Sequence, residues 1–242
     1  MKKTRLLSIA ILLGILIIPA NEVFATHTDE NDTKKNETQE EKIRIEEERL
    51  DVAFSDEEDT DLVLELPDGG IISGPGDFKV YDLDGNLIET YNIETDPNSV
   101  TVEEYKADRL ESIVTDEDNN TIPNLGISLF GTSIPTKYLE LDFDQEYKSN
   151  GFSGSGWRYG ELFFRPAYGT GGYLRWTTYE DTANVCHYYG GNMICWPMDK
   201  VKTPYWFWAY SHDGINDLPA RNFYQIYNPK GNPYYKVANR NW

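Results

Sequence analysis

The chain has 242 residues, enough for one or two domains, and carries 41 Asp and Glu against 22 Lys and Arg, a formal net charge of −19. That balance argues against nucleic acid or an anionic membrane surface as a partner, because both are gripped by Lys and Arg. The acidity is one-sided: residues 26–129 hold 30 acids against 8 bases, whereas residues 130–242 hold 10 against 11.

Residues 1–25 read as a secretory signal. A basic stretch, Met1 to Arg5, precedes the apolar run Leu6 to Ile18, and Val23-Phe24-Ala25 supplies a small-residue cleavage site, with cleavage expected after Ala25. The apolar run is too short to span a bilayer comfortably and no second one follows, so the expectation is a secreted bacterial product, Gram-positive in type, with no membrane insertion after cleavage. Residues 26–60 are polar, rich in Glu and Asp and without a strong apolar period, and are read as an acidic disordered segment. A solvated helix over Gln39 to Leu50 is the alternative there, helped by Glu40 and Arg44 at i,i+4.

From residue 61 to 120 the pattern predicts a small β-meander and one short helix. LVLEL, IIS, FKVY and LIETYNI are apolar runs separated by Pro67 to Gly70, Gly74 to Gly76 and Asp82 to Asn86. The Asp82, Asp84, Asn86 series resembles a calcium loop, but with Gly85 at the sixth position the first and twelfth fall on Val80 and Tyr91, so a hairpin turn is expected instead. Thr101-Val-Glu-Glu104 has capping-box form and opens a helix expected over 102–113.

Residues 121–242 are read as an aromatic-rich antiparallel β domain, a sandwich or a barrel-like form to which the meander adds. All six Trp and 14 of the 17 Tyr lie after residue 130. Alternation over 138–144 places Leu139, Leu141 and Phe143 on one face and Tyr138, Glu140, Asp142 and Asp144 on the other. Further strands are expected at 157–164, 173–179, 184–189, 193–198, 205–210, 223–227 and 234–238. Counting outward from the two-residue loop Gly190-Gly191 sets Cys186 opposite Cys195 at a non-hydrogen-bonded site, which predicts a disulfide in an exported protein.

No catalytic motif is complete. Cys186-His187 fails as a thiol dyad because strand neighbours point to opposite faces, and the glycine-rich 151–160 loop has neither a phosphate-loop Lys nor a nucleophile elbow. His212-Asp213 lies in a turn sequence with no ligand cluster nearby. No metal and no cofactor are expected, and no pattern specifies an oligomeric state. The aromatic excess remains, and Trp157, Tyr159, Trp176, Trp206, Trp208 and Tyr210 are the candidate binding residues, for a cell-wall glycan or a surface protein. Two other readings stand beside it. One is a bacteriocin-like antagonist whose acidic pro-segment is removed near residue 125. The other is a glycan hydrolase using Glu140, Asp142 and Asp144, spaced two apart on one strand face.

Overall fold

The structure is a computed structural model and describes residues 39–115, 132–167, 173–178, 183–189, 192–198, 205–208, 221–230 and 233–240. Apolar and aromatic residues alternating along short runs give fifteen described strands, and every run expected from the sequence contributes to one or more of them. β1 (Leu62–Glu65), β2 (Ile71–Ser73), β3 (Asp77–Asp82), β4 (Leu87–Asn92) and β5 (Val100–Thr101) come from the N-terminal half. From the C-terminal half come β6 (Lys137–Leu141), β7 (Gln145–Lys148), β8 (Trp157–Tyr159), β9 (Phe163–Pro166), β10 (Tyr173–Thr178), β11 (Ala183–Tyr189), β12 (Asn192–Met198), β13 (Tyr205–Trp208), β14 (Arg221–Tyr227) and β15 (Tyr235–Asn239).

These strands form two sheets and no closed barrel. The seven-stranded sheet runs β13-β10-β15-β7-β2-β1-β5. The eight-stranded sheet runs β12-β11-β14-β9-β6-β3-β4, with β8 beside β14. All described pairings are antiparallel except β6 with β9. The expected meander is therefore two hairpins, one per sheet: β1-β2 joins the first and β3-β4 the second, so the two halves of the chain share both sheets.

One core lies between the layers. Ile72, Tyr147, Trp176, Tyr235 and Val237 come from the seven-stranded sheet, and Phe78, Leu139, Phe164, Val185, Tyr224 and Ile226 from the other. Its centre is aromatic, with Tyr224 and Tyr235 stacked at 4.4 Å and Phe164 edge-on to Trp176 at 5.4 Å. The chain crosses between sheets in the turn 142–144, where Asp144 takes a φ of 61° and buried Gln145 closes the turn by accepting from the Asp142 N–H and donating to the Pro75 carbonyl.

Two helices, rather than one, cover the outer face of the seven-stranded sheet. α2 (Val102–Thr115) starts where the capping box put it: the Thr101 N–H donates to Glu104 and the Glu104 N–H to the Thr101 hydroxyl. α1 (Gln39–Ala53) occupies part of the stretch read as disordered. Its composition is solvent-like, but Leu50 and Ala53, with Phe54 just beyond, close a second cluster with Val63, Ile71, Val102, Tyr105 and Tyr234. Tertiary burial thus stabilises a helix that its own sequence would leave marginal.

Candidate functional site

The outer face of the eight-stranded sheet has no helix over it among the described residues, and its strand registers line up side chains in rows. One row crosses six strands: Cys195, Cys186, Phe223, Phe163, Tyr138, Tyr81. Phe163 meets Phe223 edge-on at 5.2 Å, and Tyr81 stacks on Tyr138 at 5.0 Å. The disulfide anchors one end. Cys186 and Cys195 are bonded in the expected register, with Cα atoms 4.0 Å apart, just under the usual 4.4 Å lower limit and in keeping with the narrow spacing of a non-hydrogen-bonded pair. The Gly190-Gly191 loop that set this register lies outside the described residues.

A parallel row carries charge: Tyr188, Arg221, Arg165, Glu140, Lys79. Arg165 donates to Glu140 from Nε at 2.8 Å and lies 4.6 Å over the Tyr138 ring, while Arg221 lies 5.2 Å over the same ring and donates to the Leu83 carbonyl. Burial lowers the Arg221 guanidinium and its neighbour Arg165 adds to this, against Tyr138, Asp84 and Asp82. Glu140 is thus an ion-paired sheet residue. The strand face expected to carry Glu140, Asp142 and Asp144 together does not form, because β6 ends at Leu141: Asp142 and Asp144 sit in the crossing turn, where Asp142 accepts the Phe143 N–H, and Phe143 is exposed instead of buried.

At the end of the sheet formed by β8 and β14 the aromatic surface opens to solvent. Trp157 is opposite Tyr227, with ring centroids 5.2 Å apart, and they are 42% and 47% exposed; Tyr159 follows on the same face opposite Gln225. Two large exposed aromatics side by side make a contiguous apolar patch in water, the kind of surface that marks interaction sites. The residues that flank the pair fix its place: the Gly156 N–H donates to Asn228 Oδ1 at 2.6 Å, the Asn228 N–H returns to the Gly156 carbonyl at 2.9 Å, and Arg158 Nε donates to the Ser153 carbonyl. Asn228 at φ 48° and Gly156 at φ 77° supply the left-handed conformations this clasp needs.

The opposite side of the molecule holds a different constellation. Under the 54–61 turn, Glu146 lies 2.6 Å from Lys148, 3.2 Å from Lys236 and 3.4 Å from Arg240; Glu57 pairs with Lys148 and accepts from Ser73 Oγ, and Asp56 faces Lys236 and Arg240. Burial would raise the Glu146 carboxyl, but Lys148, Lys236 and Arg240 outweigh it and hold it at about 2. Lys148 Nζ also donates to Ser73 Oγ at 3.1 Å, so its ammonium is held by two carboxylates and a hydroxyl at once. Three cations against three carboxylates make this an internal fastener, and the shallow cavity of about 420 Å³ beside it is lined by the same turn.

Of the six residues expected to bind, the structure brings Trp157 and Tyr159 together. Trp176 is a fully buried core residue of β10, because alternation turns it towards Phe164 and Tyr235. Trp206 and Trp208 lie on β13, at the far edge of the other sheet, and Tyr210 is outside the described residues. Tyr227, Tyr138, Arg165 and Arg221 were missed; for Tyr227 the signal was its place just before the Asn228 turn. No protein-family model matches the sequence, and comparisons with curated proteins and with solved structures return no match.

Proposed function

We propose that this protein is a secreted bacterial binding module that takes a cell-wall glycan on the outer face of its eight-stranded sheet, with Trp157 and Tyr227 as the stacking platform and Tyr159 and Gln225 extending it. The observation that carries the reading is the clasped, exposed Trp157–Tyr227 pair: flat faces held out of the core by reciprocal hydrogen bonds lose little conformational freedom on binding, and they match the C–H faces of sugar rings. The intact disulfide is compatible with an oxidising, extracellular setting, and among the described residues no helix is long and apolar enough to cross a membrane.

Titrating the protein with soluble cell-wall glycans while following tryptophan fluorescence tests this. A saturable change in the parent that disappears in Trp157→Ala supports it; no change with any wall fraction, or an equal change in Trp157→Ala, removes it. The antagonist reading gains no support from the architecture. A fragment beginning near residue 125 would lack β1 to β5 and both helices, uncovering Leu139, Tyr147 and Tyr234.

A further inference from the structure

We infer that β12 is where two copies of this chain associate, edge to edge and antiparallel, about a two-fold axis at Cys195. β12 ends the eight-stranded sheet, and among the described residues no strand pairs with its outer side. At seven residues it is the longest sheet edge among the described residues: β5 has two, β13 four and β4 six, and β4 carries Glu89. None of its residues, Asn192 to Met198, ionises, on a chain whose net charge of −19 sets two copies against each other elsewhere. It is also apolar on both faces where it meets water, with Met193 45%, Ile194 57% and Trp196 38% exposed. Long uncharged edges of this kind are what folded proteins ordinarily blunt with charge.

The occupant follows from the strand's own pattern. The close Cα spacing marks Cys186 and Cys195 as a non-hydrogen-bonded pair, so the backbone groups of Cys195, and by alternation those of Met193 and Pro197, point away from β11, to the side where no described strand pairs. Pro197 sits at one of the outward positions, where its missing N–H breaks no bond within the sheet. Turning a second β12 about Cys195 pairs Cys195 with the partner's Cys195, which exchange both backbone bonds, and lets each Met193 N–H donate to the carbonyl of the partner's Pro197. Ile194 then falls opposite the partner's Trp196 at a non-hydrogen-bonded site, where side chains are closest, and symmetry repeats that aromatic to β-branched pair on the other side. A pairing of two seven-residue strands is small beside the ~1,200 Å² total of a stable interface, so the association is weak and concentration-dependent.

Sedimentation velocity of the chain from ~1 to ~500 μM should show a monomer–dimer equilibrium that stops at the dimer. Ile194→Lys with Trp196→Lys sets like charges opposite each other twice and should weaken it by ~10-fold or more, whereas Ile194→Lys with Trp196→Glu sets opposite charges in the same places and should recover it. A parent that stays monomeric throughout, assembly that continues past the dimer, or equal dimerisation by both double variants would overturn the proposal. Should a variant misfold, amide exchange in the parent decides: the Met193 and Cys195 N–H groups should become slower to exchange as concentration rises, and rates independent of concentration would overturn it.

Discussion

The two outer faces of this molecule solve opposite problems with opposite chemistry. On the seven-stranded sheet two helices and the 54–61 turn are laid down over strands whose central members carry Glu146, Lys148 and Lys236, and ionic pairing fixes the cover in place. On the eight-stranded sheet the rows are aromatic, the charges sit over rings, and the surface opens at Trp157 and Tyr227. A face closed by mutually dependent charges should fail catastrophically when one is removed; a face built of rings in edge and stacked contact should tolerate loss at its rim.

The sharpest test of that contrast is Glu146→Gln. It leaves Lys148, Lys236 and Arg240 without their common carboxylate, and breaking a buried ionic set of this kind should lower stability by about 3–5 kcal/mol, a large share of the ~5–15 kcal/mol of a typical domain, read as a fall in the urea midpoint. The same group sets an acid limit. Its folded carboxyl lies at about 2, below the ordinary 4.5, so its stabilisation is complete above about pH 4.5 and is lost as pH falls towards 2. Asp68 and Glu65, whose carboxyls burial raises, contribute in the reverse sense and soften that loss. Unfolding midpoints measured between pH 6 and 2.5 should therefore fall in the parent and flatten in Glu146→Gln.

On the aromatic face the largest effect should come from the staple. Replacing Cys186 and Cys195 by Ala, or reducing the bond, should cost about 2–3 kcal/mol for so short a loop, with urea unfolding as the measure. Arg165→Leu should cost about 1 kcal/mol, since Glu140 keeps partial access to water when its partner is lost. Trp157→Ala should change stability by ~0.5 kcal/mol or less while weakening glycan binding about tenfold. If Trp157→Ala unfolds the protein as readily as Glu146→Gln, the contrast between the faces is wrong.

What the sequence made legible follows the same division. The cysteine register could be counted because a two-residue loop fixes pairing outward from itself, and α2 announced itself through Thr101 and Glu104. Strand positions were readable from alternation, but alternation carries no record of which sheet a strand joins, and so the β1-β2 and β3-β4 hairpins looked like one unit. Lys148 and Lys236 resemble surface lysines until, from distant parts of the chain, Glu57 reaches the first and Glu146 the second. Trp157 and Trp176 are the same residue type on similar strands, and only the packing of a second sheet over one of them separates exposed ring from core. In and just after α1 the charged majority concealed Leu50, Ala53 and Phe54, whose partners lie in β1, β2 and α2.

The position of β15 governs how this molecule can be assembled. It is the final described strand in the chain, yet it lies inside the seven-stranded sheet, between β10 and β7. Until residues 235–239 insert, that sheet exists as two unconnected parts, β13-β10 and β7-β2-β1-β5, and Tyr235 is missing from the aromatic centre that joins the layers. Such distant pairing makes folding slow, and it makes the last strand a lock: a chain ending at residue 234 should collapse without cooperative unfolding, however complete its remaining strands.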